Sequence, residues 1–512
     1  SCRHAPGPRC LMALLRLIGA GWVLVRADAL LPRETEGLLP APLVALGKVL
    51  RLLAGPQARR GRPGERMAKA LEGLGPVAIK LGQLLSTRAD ILGVDFADDL
   101  SRLKDQLQPF DTKLATAVIQ AGIDQPISEL FVEFGPAVAA ASIAQAHRAV
   151  LADGRVVAVK VLRPDIEQAV AKDVAVLTLA ADLAHRLVPL SRRLAPRDLA
   201  STVSRSLILE LDLRLEAAGA DELGEVMAKD GWMSAPKVVW EGVGKRFLTL
   251  TWADGQPLSS ALSLEQPGLD RPALANSLMR GFLAQALDHG VFHADLHEGN
   301  LFVGPPSAIV AVDYGIMGRI GPDERRYLAE ILWGFLRRDY RRVAEVHFEA
   351  GYVPAIHSVD AFAQALRAVG QPIFGRSAKD VSMGRLLGQL FEITALFDMH
   401  LRPELVLLQK TMVTVEGVAR RIDPDHDIWA AAEPVVRRWI ARELSPTEKV
   451  KSLFNDAVGA LQSLARLAEA ERKTQPAPAE PAPTGISPFW LALSFSAAVT
   501  FVAILVIKFL NG

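Results

Sequence analysis

The chain has 512 residues, more than one ordinary domain holds and enough for roughly two to four. Its formal net charge of +1 argues against a whole-chain nucleic-acid binder, and 50% hydrophobic with 22% charged residues argues for a mostly globular protein. The only two cysteines, Cys2 and Cys10, exclude a disulfide scaffold and a four-cysteine zinc site.

The near-zero charge conceals an asymmetry. Residues 1–70 hold twelve Lys/Arg and four Asp/Glu, a net of +8, so the remainder sums to −7. Such a basic segment suits an anionic membrane surface or a solvated helix face. Within it, Leu11–Val25 is apolar apart from Arg16, too short and too charged for a span. No clear signal-peptide cleavage site follows, and the segment reads as an amphipathic helix lying on the domain or on the membrane. Met67–Leu85 reads as a helix. Val150–Leu162 has hairpin character, with Asp153-Gly154 as its turn. Asp165–Leu187 and Pro196–Met227 read as helices, Val238–Trp252 as strands and Leu274–His289 as a helix. Short β-type runs follow at Leu301–Val303 and Ile309–Val312. Gly321-Pro322, with Asp323 and Glu324, opens a helical region expected to run to about residue 471. A Pro/Ala linker then precedes Phe489–Ile507, nineteen residues without a charge. As a helix this segment is about 28 Å long, close to the bilayer core. Trp490 and Lys508 stand where its two interfaces would lie, and Arg472 and Lys473 favour the cytoplasmic side for everything before it.

The chemistry concentrates in His293-Ala-Asp-Leu-His-Glu-Gly-Asn300, followed thirteen residues later by Asp313-Tyr-Gly315. This is the pattern of a kinase catalytic loop and metal loop. Phosphoryl transfer needs a carboxylate near the acceptor, here Asp295, and oxygen ligands for Mg²⁺, here Asn300 and Asp313. Gly315 is expected to allow a tight backbone turn after the metal ligand. His289, His293 and His297 are four residues apart, a spacing that could bind zinc on a helix. Gly290 and Val291-Phe292 interrupt such a helix, and a structural His293 holding the loop is the better reading. Upstream, Val157-Ala-Val-Lys160 puts a lysine on an apolar strand, where it needs phosphate or carboxylate as partner. Glu210, Asp212 and Glu216 are acidic positions in one helical stretch; Glu210 and Glu216 would lie about 600° apart on it and serve separate roles. No Gly-rich phosphate loop precedes Lys160. Ala139-Ala-Ala-Ser-Ile-Ala-Gln-Ala-His147 stands in its place, so nucleotide binding should be altered, although the stretch reads equally well as a helix start.

These residues together resemble the UbiB family of atypical protein-kinase-like proteins, linked to ubiquinone biosynthesis. The resemblance runs from roughly residue 65 to 450. It takes in Lys80-Leu-Gly-Gln83 (the KxGQ signature), the Ala-rich segment, Glu210-x-Asp212 (the ExD motif), Glu216, Thr251-Trp-Ala-Asp-Gly255, His293–Asn300 and Asp313–Gly315, in the family's order. It implies an α+β, bilobal kinase-like fold with an N-terminal helical extension and a C-terminal transmembrane helix. The divisions are a basic amphipathic segment 1–64, the KxGQ extension 65–130, an N-lobe 131–256, a helical C-lobe 257–471, a linker 472–488 and an anchor 489–510. It also implies ATP and Mg²⁺ as cofactors, with Ala139, Ala140, Ala141, Ser142 and Lys160 at the nucleotide. Glu216 would hold Lys160, Asn300 and Asp313 would bind metal, and Asp295 would sit where a kinase base sits. Lys80 and Gln83 would cover the cleft, pair with Glu210 and Asp212, and hinder entry of protein substrates. The implied activity is ATP hydrolysis or phosphorylation of a small molecule; a genuine protein kinase and a non-catalytic nucleotide-binding scaffold are the alternatives. Expected partners are an anionic lipid surface and quinone precursors or the enzymes that process them, with a homodimer as an option, at a bacterial inner membrane. The sequence departs from the family pattern at Leu296 and Glu298, where prolines are common, at Tyr314 for Phe, at Gly219 for Asn and at Ala144 for Gly. It also carries one C-terminal span where bacterial members often have two.

Overall fold

The computed structural model describes residues 8–29, 41–55, 61–86, 94–101, 103, 108–187, 195–371, 393, 396–399 and 403–443. The expected linker and the apolar segment Phe489–Ile507 lie outside the described residues. Among those described, no helix is long and apolar enough to cross a membrane.

The N-terminal region is helical, with α1 (Pro8–Arg26), α2 (Ala41–Leu50), α3 (Pro63–Glu72), α4 (Pro76–Leu85), α5 (Val94–Ser101) and α6 (Thr112–Gln120). The helix expected over Met67–Leu85 is two helices. Gly73 ends α3, and Gly75 at φ +98° with Pro76 starts α4. Proline cannot supply an interior amide but fits the first helical turn, so the chain re-nucleates there.

A five-stranded antiparallel sheet follows, ordered β1-β2-β3-β5-β4. Its strands are β1 (Phe131–Ala140), β2 (Ala144–Leu151), β3 (Val156–Leu162), β4 (Val238–Gly244) and β5 (Phe247–Thr251). Between β3 and β4 run α7 (Ile166–Leu187), α8 (Pro196–Glu210) and α9 (Leu213–Asp230). Alternation along β3 sorts its side chains. Val157, Val159 and Val161 are fully buried with Ala115 and Ile119 of α6, whereas Leu162 packs with Leu207 and Leu213 of the helices on the other face. Burying each such side chain contributes about 1.5–3 kcal/mol. The same alternation places Lys160 on the face of Leu162.

The Ala-rich segment is not a helix start. It forms the end of β1, a turn at residues 141–143 and the start of β2, closed by Ala141 N donating to Ala144 O at 2.8 Å. The Glu210–Glu216 stretch is likewise not one helix. It breaks after Glu210, where Leu213 N donates to Lys245 O at 2.9 Å, and Asp212 caps α9 by accepting from Arg214 N at 3.2 Å. The 600° separation therefore does not apply, and both acids reach the same cleft.

The second lobe is mostly helical. It contains β6 (Gln256–Pro257), α10 (Arg271–Ala284), β7 (Val291–His293), β8 (Leu301–Gly304), β9 (Ala308–Ala311) and β10 (Met317–Arg319). After these come α11 (Pro322–Arg337), α12 (Tyr340–Glu349), α13 (Val359–Gly370), α14 (Pro403–Ile422) and α15 (Ile428–Glu443). Leu278, Phe282, Phe292, Leu296, Val415 and Val436 belong to one continuous core. Leu296 is thus buried beneath the catalytic loop in the position where prolines are common.

Candidate active site

The cleft between the sheet and the helical lobe has a volume of about 470 Å³, within the range of small-molecule sites. Strand β3 delivers Lys160 and α9 delivers Glu216. Lys160 Nζ donates to Glu216 Oε1 at 2.7 Å and Oε2 at 2.9 Å, and to Asp313 Oδ1 at 3.2 Å. Burial alone would lower the lysine pKa, but the Asp313 and Glu216 carboxylates outweigh it, so the ammonium is held well above its ordinary value. Lys160 in turn holds the Asp313 carboxyl down to about 2, against the opposing effect of burial. Burial pushes Glu216 up, and Lys160 opposes that push.

Asp313 follows β9 at φ +64°, a left-handed conformation that aspartate tolerates better than most residues. Such strain collects at functional sites. The positive φ belongs to Asp313 rather than to Gly315. What Gly315 provides is close approach: its amide donates to Asp313 Oδ1 at 3.3 Å, and a Cβ there would meet the same oxygen at 3.3 Å.

His293 is fully buried and bridges the two loops. Its Nδ1 accepts from Asp295 N at 3.1 Å, which leaves Nε2 to donate to Val312 O at 3.1 Å, and burial lowers its pKa, favouring the neutral ring. Tyr314 stacks near it and donates its hydroxyl to Ala311 O at 2.7 Å. The three histidines share no common partner, although His297 Nε2, like His293, approaches Asp295, 3.7 Å from its Oδ2. His289 Nε2 lies 3.1 Å from Asp230, and His297 Nδ1 accepts from Gly299 N at 2.9 Å. Asn300 is buried under the loop, donates Nδ2 to Asp295 O at 3.0 Å and is not among the cleft-lining side chains. Its remaining amide oxygen and the Asp313 carboxylate are the hard oxygen donors that magnesium takes, so the residue set fits that ion.

Of Ala139, Ala140, Ala141 and Ser142, only Ala141 lines the cleft; Ile143 and Ala144, which follow, also line it. Arg163 fixes the turn by donating Nε to Ala141 O at 3.0 Å and Nη2 to Gln108 O at 2.9 Å. Helix α4 reaches into the same space. Lys80 ion-pairs with Glu210 with both side chains largely buried, and Gln83 lines the wall. Asp212 lines it too, but its carboxylate pairs with Arg214 at 2.6 Å rather than with Lys80. Sequence reasoning missed the apolar wall of Leu209, Leu215, Ile316 and Met317, as well as Arg319, which donates to Glu222 at 2.8 Å. Nothing in their local patterns separates them from ordinary amphipathic positions.

A β3 lysine held by a helix carboxylate, set opposite a catalytic loop and a metal-type aspartate, defines the class: an atypical protein-kinase-like protein. The comparisons agree. The ABC1 atypical kinase-like domain matches residues 102–347 and the UbiB helical domain matches residues 366–427. The "Probable protein kinase UbiB" of Marinobacter nauticus is 39% identical over 453 residues, covering 86% of this chain and 81% of that protein. Its namesake in Azotobacter vinelandii is 37% identical over 470 residues, covering 90% and 86%. Rv3197 of Mycobacterium tuberculosis, solved with erythromycin, aligns with a TM-score of 0.51 at 22% identity over 71% of this chain and 93% of that one, a likeness of fold. The chain belongs to the UbiB family.

Proposed function

We propose that this protein is a membrane-anchored, magnesium-dependent ATPase or atypical kinase that supports ubiquinone biosynthesis. The observation that carries the reading is Lys160 bonded at once to Glu216 and Asp313 inside a cleft that also holds Asp295. Magnesium-bound ATP would supply the transferable phosphoryl group and the cation that neutralises it. Lys160 would exchange its Asp313 contact for a phosphate oxygen while Glu216 keeps it oriented. Asp313 and Asn300 would hold the metal, and Asp295 would take the proton from the acceptor hydroxyl or water. The Ala141–Ala144 turn would lie over the nucleotide with fewer amides free to close on phosphate than a glycine loop offers. Because Lys80 and Gln83 stand in the same cleft as Asp295, the reading favours water or a small acceptor over a protein side chain.

The lipid pathway rests on family membership, and the inner-membrane location on the sequence of Phe489–Ile507. The exposed stripes Leu15, Ile18 and Trp22 on α1 and Leu46, Val49, Leu52 and Leu53 on α2 and the turn after it support a second, peripheral contact with lipid. The deciding experiment is quinone profiling of a deletion strain complemented with wild type or with Asp313→Asn. The proposal expects ubiquinone to fall and precursors to accumulate in the deletion, with rescue by wild type alone. Normal ubiquinone in the deletion strain contradicts it.

A further inference from the structure

The Ala141–Ala144 turn is held by a residue that does not itself line the cleft. Arg163, the residue after β3, bonds the turn twice: its backbone amide donates to Ile143 O at 2.9 Å and its Nε to Ala141 O at 3.0 Å. The same guanidinium also reaches away from the turn. It donates Nη2 to Gln108 O at 2.9 Å and lies 5.6 Å from the centre of the Phe110 ring, within cation–π range. The backbone of Arg163 is itself fixed, because its carbonyl accepts from Arg246 Nη2 at 3.0 Å.

A second brace flanks the first. Gln145, next to Ala144 and nearly fully buried, accepts at Oε1 from Phe110 N at 2.9 Å and donates Nε2 to Phe110 O at 3.1 Å. His147 Nδ1 lies 2.9 Å from Gly135 O, which only accepts, so the ring donates there and its Nε2, 2.8 Å from Gln145 Nε2, accepts the other amide proton. Both polar atoms of the Gln145 side chain are thus used, and a satisfied buried network rigidifies what it touches. Residues 108–110 belong to the N-terminal extension, so a turn that lines the cleft is seated on the extension at both of its ends. Alanines have a narrower choice of backbone conformation than glycines, and such a turn takes its position from what holds it.

We propose that Arg163 is a positioning residue of the nucleotide site, seating the Ala141–Ala144 turn on residues 108–110 of the extension and thereby setting the affinity for Mg-ATP. This rests on the nucleotide-binding reading above. Arg163 acts through the turn. Without it, the turn occupies the binding-competent position for only part of the time, and the apparent Kd rises by the inverse of that fraction. Bound nucleotide restores the position, so turnover at saturation is preserved.

The test uses the full chain and measures the Kd for Mg-ATP by calorimetry, kcat and KM for hydrolysis, and Tm. Arg163→Gln should raise Kd and KM about 5- to 20-fold, with kcat within about twofold of wild type. Arg163→Lys keeps the charge but loses the planar fork that serves two carbonyls, and should raise Kd about 2- to 5-fold at wild-type Tm. Phe110→Leu keeps apolar volume but removes the ring beside the guanidinium, and should raise Kd about 3- to 5-fold. In the Arg163→Gln background it should add less than about twofold, because the two residues act as one brace. Wild-type Kd in Arg163→Gln, or in Arg163→Lys if Arg163→Gln does not fold, with Lys160→Met still weakened, overturns the inference and leaves the nucleotide reading standing. A fall in kcat as large as the rise in KM, or equal fractional losses from Phe110→Leu in both backgrounds, also overturns it. Mg-ATP binding no tighter in wild type than in Lys160→Met overturns the nucleotide reading and this inference with it.

Discussion

Replacing Glu210 by Gln removes the carboxylate that holds the KxGQ helix in the cleft. Lys80 and Glu210 are only 11% and 16% exposed, so the change leaves a largely buried ammonium without its counter-charge. Breaking a fully buried pair from one side costs about 3–5 kcal/mol; the partial exposure here brings the expectation to about 2–3 kcal/mol. At about 1.4 kcal/mol per decade, the equilibrium for lifting α4 away should rise roughly 30- to 150-fold. Hydrogen exchange of the non-proline amides of α4 reads this directly, because local opening sets their protection. Those amides should exchange faster by that factor while the β3 and β5 amides keep theirs. Protection of α4 within a factor of two of wild type would refute the claim that the Lys80–Glu210 pair holds the extension in place.

Three further expectations follow from other parts of the molecule. Asp313 has a folded pKa of about 2 against an ordinary 3.8, so the stability it lends is complete above about pH 4 and is lost as pH falls toward 2. The contribution is modest because half of the side chain is open to solvent. The difference in urea stability between wild type and Asp313→Asn should therefore shrink between pH 5 and pH 3, and a constant difference counts against the Lys160–Asp313 pairing. A Cβ at Gly318 would lie 2.1 Å from the ring of Phe292, which is fully buried; Gly318→Ala should cost about 1–3 kcal/mol and lower Tm by several degrees, and an unchanged Tm contradicts the packing between β7 and β10. Trp22→Glu with Leu52→Glu should weaken flotation of the protein with anionic vesicles if the α1–α2 stripes meet lipid, and equal flotation of variant and wild type excludes that face.

How far the sequence reaches depends on whether a signal is local. His293, Asp295, Asn300 and Asp313 sit close together in the chain, so loop chemistry and spacing expose them. The β3 lysine is legible because alternation fixes its face and the Asp153-Gly154 turn fixes its register. The break between Glu210 and Asp212 was not legible, because Leu209, Glu210 and Leu211 are all good helix residues and the stop is imposed by Lys245 O, a tertiary partner. The helix-start reading of the Ala-rich segment failed for a similar reason: alanine favours helix in isolation, and the pairing of Ala139 with Ala146 and Ala140 with Gln145 overrides that preference. The tie of α14 to the catalytic loop carries no local signal either, since Thr411 is one threonine on an amphipathic helix and its partner, Ala294 O, lies 117 residues away.

The central claim is that Lys160 and Asp313 form a magnesium-nucleotide site, and calorimetric titration of the purified chain with ATP tests it most directly. Wild type should bind ATP with magnesium and bind it more weakly when the metal is chelated. Asp313→Asn should lose the magnesium dependence, and Lys160→Met should weaken binding both with and without the metal. Magnesium-dependent binding of equal strength in all three proteins would contradict the account.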